Sequence, residues 1–274
     1  MRSAHNHILA AIVISLLICT CVSRASEPNS PVDMNELPMD SPFVKEGKLD
    51  IQAAVDYFED LYRSTSSIAE VRMTVAKPRS ARTLEMKIWT LGQEKALILI
   101  QSPVREKGTA TLKVDNNLWN YLPKIKRTIR IPPSMMLASW MGSDFTNDDL
   151  VRESSFSKDY IYTLVGRSQD PNGWEVRFEA KPDLVGLWNR IDLVLSNDGT
   201  IPLKADYYDR RDRLSRRIVW SDVRWFGKRK IPATMTLTPL DKEGYRTEMT
   251  YTMIDFGADV PERFFSLSQL ESLH

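Results

Sequence analysis

Enzyme chemistry needs nucleophiles or titratable groups, and this 274-residue sequence holds few of the versatile ones. Its histidines are His5, His7 and His274, and its cysteines are Cys19 and Cys21. All but His274 lie in a segment with the layout of an export signal. A weakly basic start precedes the uncharged apolar run Ile8 to Ile18. That run is shorter than the ~20 apolar residues a membrane span requires, and it suits the hydrophobic stretch of a secretory signal. Ser23-Arg24-Ala25 offers small residues at both positions a signal peptidase reads, so residues 1–25 are expected to be removed. Ile18 and Thr20, which precede the two cysteines, fit a lipidation site poorly.

After such a cleavage no thiolate nucleophile, His-based triad or His metal cluster can be assembled. The sequence also lacks a Gly-x-Ser-x-Gly elbow, a P-loop and a dinucleotide fingerprint. Carboxylates remain, and Asp144, Asp148 and Asp149 are the densest group beside an apolar feature. A carboxylate-pair hydrolase is one reading of them, and capping of a helical turn is the simpler one. The expectation is no catalytic residue, no metal and no cofactor. Losing Arg2 and Arg24 with the signal changes 37 basic and 36 acidic residues to 35 and 36. This near-neutral balance argues against a nucleic-acid partner.

Binding is better supported than catalysis. Ser134 to Met141 packs five large apolar residues into eight, three of them methionine. Core filling is the default role for such side chains, but methionine and aromatic groups together also suit a surface that adapts to varied apolar ligands. The candidate lining or cover of a cavity is Trp119, Tyr121, Met135, Met136, Leu137, Trp140 and Met141. Two basic clusters stand out: Lys124, Lys126, Arg127 and Arg130, and then Arg210, Arg211, Arg213, Arg216 and Arg217 with Lys228 to Lys230 beyond. Most such runs are solvated faces. The functional alternative is contact with anionic lipid headgroups or an acidic partner, with the first cluster as the candidate.

The elements that must position these residues follow from periodicity. Residues 26–48 lack any period and read as a loose lead. Asp50 is placed to cap a helix in which Ile51, Ala54, Val55, Phe58, Leu61 and Tyr62 share one apolar face. The period then changes to 2. Ala69, Val71, Met73 and Val75 alternate with polar residues, as do Leu84, Met86 and Ile88, and also Ala110, Leu112 and Val114. Ala96 to Ile100 is continuously apolar, as in a strand covered on both faces. Further alternating runs lie at 174–178, 191–195, 201–207, 233–237 and 245–253, separated by turns such as Asn197-Asp198-Gly199. About a dozen strands with tight turns imply a mainly β fold, a large antiparallel meander that curls into a full or partial barrel. One domain over 49–274 is expected, with residues 132–153 inserted between strands as a cover.

Trp119-Asn120-Tyr121-Leu122-Pro123-Lys124-Ile125-Lys126-Arg127 resembles the hairpin of the LolA-like outer-membrane lipoprotein-sorting proteins, in a larger and less characterised branch. Gly142-Ser143-Asp144-Phe145, Asp149-Leu150, Ile201-Pro202-Leu203-Lys204, Tyr207-Tyr208-Asp209 and Phe264-Phe265 follow in the order the resemblance implies. It implies an unclosed LolA/LolB-like half-barrel around short helices, with an apolar concavity that shields acyl chains crossing the periplasm. It also implies lipoprotein or lipid cargo, with an inner-membrane RND-type or ABC transporter and an outer-membrane acceptor as partners. The rival expectation is a periplasmic sensor or adaptor that binds a peptide or such a transporter.

Overall fold

The computed structural model describes residues 41–152, 156–184 and 186–273. The expected export signal, its cleavage site, His274 and most of the expected lead lie outside them. The end of the lead is regular, because β1 (Val44–Lys45) pairs with β2 (Lys48–Leu49) in a small antiparallel hairpin. Helix α1 (Ile51–Glu59) follows, and the Asp50 side chain accepts from the Ala53 amide at 3.1 Å. That bond satisfies one of the amides left open at a helix start.

Six strands then run as a meander: β3 (Ser66–Lys77), β4 (Ser80–Leu91), β5 (Lys95–Ser102), β6 (Ala110–Val114), β7 (Asn117–Leu122) and β8 (Arg127–Arg130). The chain leaves the sheet over residues 131–159, carrying the short helices α2 (Asn147–Arg152) and α3 (Phe156–Asp159). It returns as β9 (Tyr160–Gln169), β10 (Asn172–Ala180), β11 (Trp188–Leu195), β12 (Pro202–Asp209), β13 (Leu214–Phe226), β14 (Arg229–Pro239) and β15 (Arg246–Phe256). A closing helix, α4 (Leu267–Ser272), ends the described chain.

β3 through β15 form one antiparallel sheet of 13 strands, in which β15 pairs with β3 and the two meanders join. The edges are β8 and β9, which do not pair with each other, so the curled sheet stays open. Those edges are consecutive strands of the chain. The segment 131–159 is therefore the connection across the open seam, and it folds over the concave face.

The sheet is covered on both faces around β5. On the concave side Ile98 and Ile100 join a core with Val71, Met73, Met86 and Trp140. On the outer side Leu97 packs with Leu112, Tyr121, Val260, Phe265 and Leu270. Double burial explains the unbroken apolar run from Ala96 to Ile100. β3 has one wet face, where exposed Arg72 meets Glu85 of β4 at 3.3 Å. The expectation that Thr111 and Lys113 face water fails. Both are buried, at 3% and 4% exposure, and face the concave side, while Ala110 and Leu112 face α4.

Candidate ligand cavity

A cavity of about 150 Å³ lies between α1, the 131–159 segment and the concave face of the sheet. Helical spacing puts Phe58 on the buried side of α1, and the turn after the helix brings Tyr62 beside it. Phe58 meets Trp220 edge-on with ring centroids 6.1 Å apart, and Tyr62 stacks on Tyr251 at 4.7 Å. Strand alternation brings Ile88, Ile98, Ile191, Ile218, Met235 and Met249 to the same wall. The seam-crossing segment supplies Trp140, Phe145, Leu150 and Phe156. This wall is suited to an apolar guest.

One region of the wall is polar. Register places Ser67 opposite Thr90, Thr90 opposite Ala96, and Ala96 opposite Lys113, as a row across four strands. The hydroxyls of Ser67 and Thr90 lie 2.7 Å apart. Lys113 Nζ donates to the Gln93 carbonyl at 2.8 Å. The Trp140 indole N–H donates to Thr111 Oγ1 at 3.2 Å, which fixes the seam-crossing segment to β6. Glu59 at the end of α1 and Arg63 in the turn after it add charge. Burial pushes the Glu59 carboxyl above its usual value despite hydrogen bonds from the Ser157 amide and hydroxyl.

The strongest polar contact fastens α2 to β13. Arg216 donates from both terminal nitrogens to the two Asp149 oxygens, each at 2.8 Å. Its guanidinium lies 4.3 Å from the Trp188 ring centre and 4.2 Å from that of Tyr207. Asp149 also accepts from the Thr146 amide and hydroxyl, while Thr146 Oγ1 accepts from the Asp149 amide, a reciprocal helix-start cap. Burial alone would raise the Asp149 carboxyl. The Arg216 charge and these hydrogen bonds outweigh it and hold the carboxyl below its usual value. Asp144 exchanges bonds with Thr247, accepting from its hydroxyl at 2.7 Å and donating its amide at 3.0 Å. Asp144 and Asp149 thus anchor the segment, while Asp148 stands in the cavity wall. Arg216, read from sequence as part of a solvated run, is 5% exposed.

Of the seven residues the sequence singles out as lining or cover, the cavity wall includes Trp140. Met141 packs beside it on the concave core. Met136 lines a separate surface cleft with Arg130 and Asn117, and Met135 and Leu137 are about half exposed on the outside of the segment. Trp119 and Tyr121 point to the opposite face of the sheet, under α4. Lys124, Lys126 and Arg127 are exposed together at the β7–β8 turn. Arg130 stands at the other end of β8, over the Trp119 ring and bonded to Asn117. Nothing in the sequence marks Lys113, Arg63 or the pairing of Asp149 with Arg216 as inward: alternation puts Lys113 on the wet face, and Arg63 stands off the apolar face of the expected helix. Among the described residues, no cluster of three or more His, Cys, Asp or Glu side chains could hold a metal, and no helix is long and apolar enough to cross a membrane.

A family model described as "-like: Uncharacterized protein" matches residues 92–272, from the β4–β5 turn to α4. The chain belongs to this family. Its fold is that of LolA-like proteins. A DUF1329 family protein from Desulfovibrio piger superposes with a TM-score of 0.71 at 23% identity, over 80% of this chain and 98% of that one. A domain of a protein described as an outer-membrane lipoprotein-sorting protein, from Vibrio parahaemolyticus, gives 0.68 at 21%, over 79% and 97%. A LolA superfamily protein from Nitrosomonas europaea gives 0.68 at 18%, over 81% and 100%. A comparison with curated proteins finds no match. At these identities the superpositions speak for the fold: an open antiparallel half-barrel with helices on its concave side.

Proposed function

We propose that this protein is a periplasmic carrier that takes an acyl chain of a lipoprotein or lipid into the cavity and moves it between the inner and outer membranes without covalent chemistry. The observation that carries the reading is the apolar cavity, closed on one side by a segment anchored through a few polar contacts. Burying an acyl chain from water yields about 0.8 kcal/mol per methylene. A bilayer offers the chain the same shelter, so loading from a membrane is near-neutral for the methylenes. The polar part of the wall and the protein partners then set the direction. The proposed partners are an inner-membrane RND-type or ABC transporter as donor and an outer-membrane acceptor.

The cavity, at about 150 Å³, has the size of one that admits a small apolar molecule. Pockets that enclose larger ligands run to roughly 300–1,000 Å³. A long chain therefore enters by displacing the seam-crossing segment. The test is mass spectrometry of organic extracts from protein purified without detergent, alongside uptake of a fluorescent fatty acid in solution. A long-chain amphiphile in stoichiometric amount supports the carrier. An empty protein that takes up no probe refutes it.

A further inference from the structure

The strands β3, β5 and β7 end, and β4, β6 and β8 begin, at the same end of the sheet. Their turns therefore stand side by side, about 10 Å apart, as alternate strands of an antiparallel sheet must. The turns are strongly basic. Lys77 and Arg79 occupy the first, Arg105 and Lys107 the second, and Lys124, Lys126 and Arg127 the third, all exposed. Within these three turns the carboxylate is Glu106, paired with Arg82 at 2.5 Å; the β14–β15 turn beside the first carries exposed Asp241 and Glu243 with Lys242 and bounds the basic face on that side.

Aliphatic side chains stand out from the same turns. Val104 is 90% exposed and Ile125 is 56% exposed. Both are held by ordered backbone. The amides of Glu106 and Lys107 each donate to the Pro103 carbonyl at 2.9 Å, and the Lys126 amide donates to that of Pro123. The fold gains nothing from an aliphatic group held in water between cations. A surface with negative headgroups over hydrocarbon satisfies both features, because lysine and arginine meet the headgroups while the aliphatic tips enter beneath them. We infer that the turns 78–79, 103–109 and 123–126 form a docking face for an anionic lipid bilayer. An acidic protein would match the charges but leave the tips in water.

Flotation of the purified full chain with vesicles tests it, comparing phosphatidylcholine with an equimolar mixture of phosphatidylcholine and phosphatidylglycerol. Binding to the mixed vesicles, weakened by salt, is the expected result. Each basic side chain contributes about fivefold to partitioning, so Lys124→Ala with Arg127→Ala lowers it about twenty-five-fold. Val104→Asp with Ile125→Asp abolishes it, and a Val104→Trp variant shifts its emission to the blue on the mixed vesicles. These positions are exposed, so thermal unfolding confirms that each variant folds. Equal binding to both vesicle types, or none to either, overturns the proposal. So does a loss on charge removal without any effect of the aspartate pair or emission shift, because the aliphatic tips then do not enter the bilayer.

Discussion

The Arg216 guanidinium, forked onto Asp149 and packed against Trp188 and Tyr207, is almost wholly removed from water. A buried pair of this kind adds little over a well-packed apolar pair, but removing one partner strands a buried charge. Arg216→Met is therefore expected to cost about 3–5 kcal/mol in urea unfolding at neutral pH, and the double change Arg216→Met with Asp149→Leu should recover most of it. The pair also sets a pH dependence. The Asp149 carboxyl is lower in the folded state than its unfolded value of about 3.9. Its contribution is thus complete above about pH 4 and is lost as pH falls through the lower folded value. Asp149→Asn removes that component, so the stability gap between wild type and variant should narrow in acid. A gap that stays constant from neutral to strongly acidic pH would contradict the assignment. The two residues are 67 apart in the chain, and no periodicity links them. Sequence reading recognised Asp149 as part of a helix cap but placed Arg216 in a solvated run, because a dense arginine cluster carries no mark of which member turns inward.

At the scale of elements, the sheet separates a cavity side from a structural side. Trp119 and Tyr121 differ by two positions and so share a face, as alternation requires. Alternation cannot say which face, and here both are covered, one by the seam-crossing segment and one by α4. That is why an aromatic pair beside the hairpin read as cavity lining although it packs under α4. The helix, the alternating strands and the doubly buried β5 were legible because each rests on local period. β9 was not, since it combines exposed Ile161, Leu164 and Val165 with an edge position and shows no clean alternation. The two faces make opposite predictions. Leu270→Ala, on the outer side, should destabilise by about 2–5 kcal/mol while leaving fatty-acid uptake by the folded protein unchanged. Thr247→Val removes the Asp144 anchor without opening a void. It should speed proteolytic cutting within residues 131–159 before any change in global unfolding. Cutting at the wild-type rate would show that this anchor does not hold the segment.

For the whole molecule, an open half-barrel solves a problem that a closed barrel cannot. A closed small barrel fills with its own side chains or encloses a fixed volume. Here the two sheet edges are joined by the segment that covers the concavity, so the enclosed volume changes when that segment moves and every strand-to-strand bond stays intact. Cargo size is then governed by the wall that does not move. Ala69 of β3 sits in that wall at 2% exposure, between larger aliphatic neighbours. Ala69→Phe directs a ring into the empty space. Overfilling a packed core costs about 1–3 kcal/mol, and a pre-existing void should hold the cost to the low end. At about 2–4 °C per kcal/mol for a domain of this size, the melting temperature should move by only a few degrees. Uptake of a long-chain fluorescent fatty acid should fall by more than tenfold, because the ring and the chain compete for the same volume. Uptake that survives in a folded Ala69→Phe protein would place the guest elsewhere on the molecule, with the surface cleft of Met136 and Arg130 as the next wall to block.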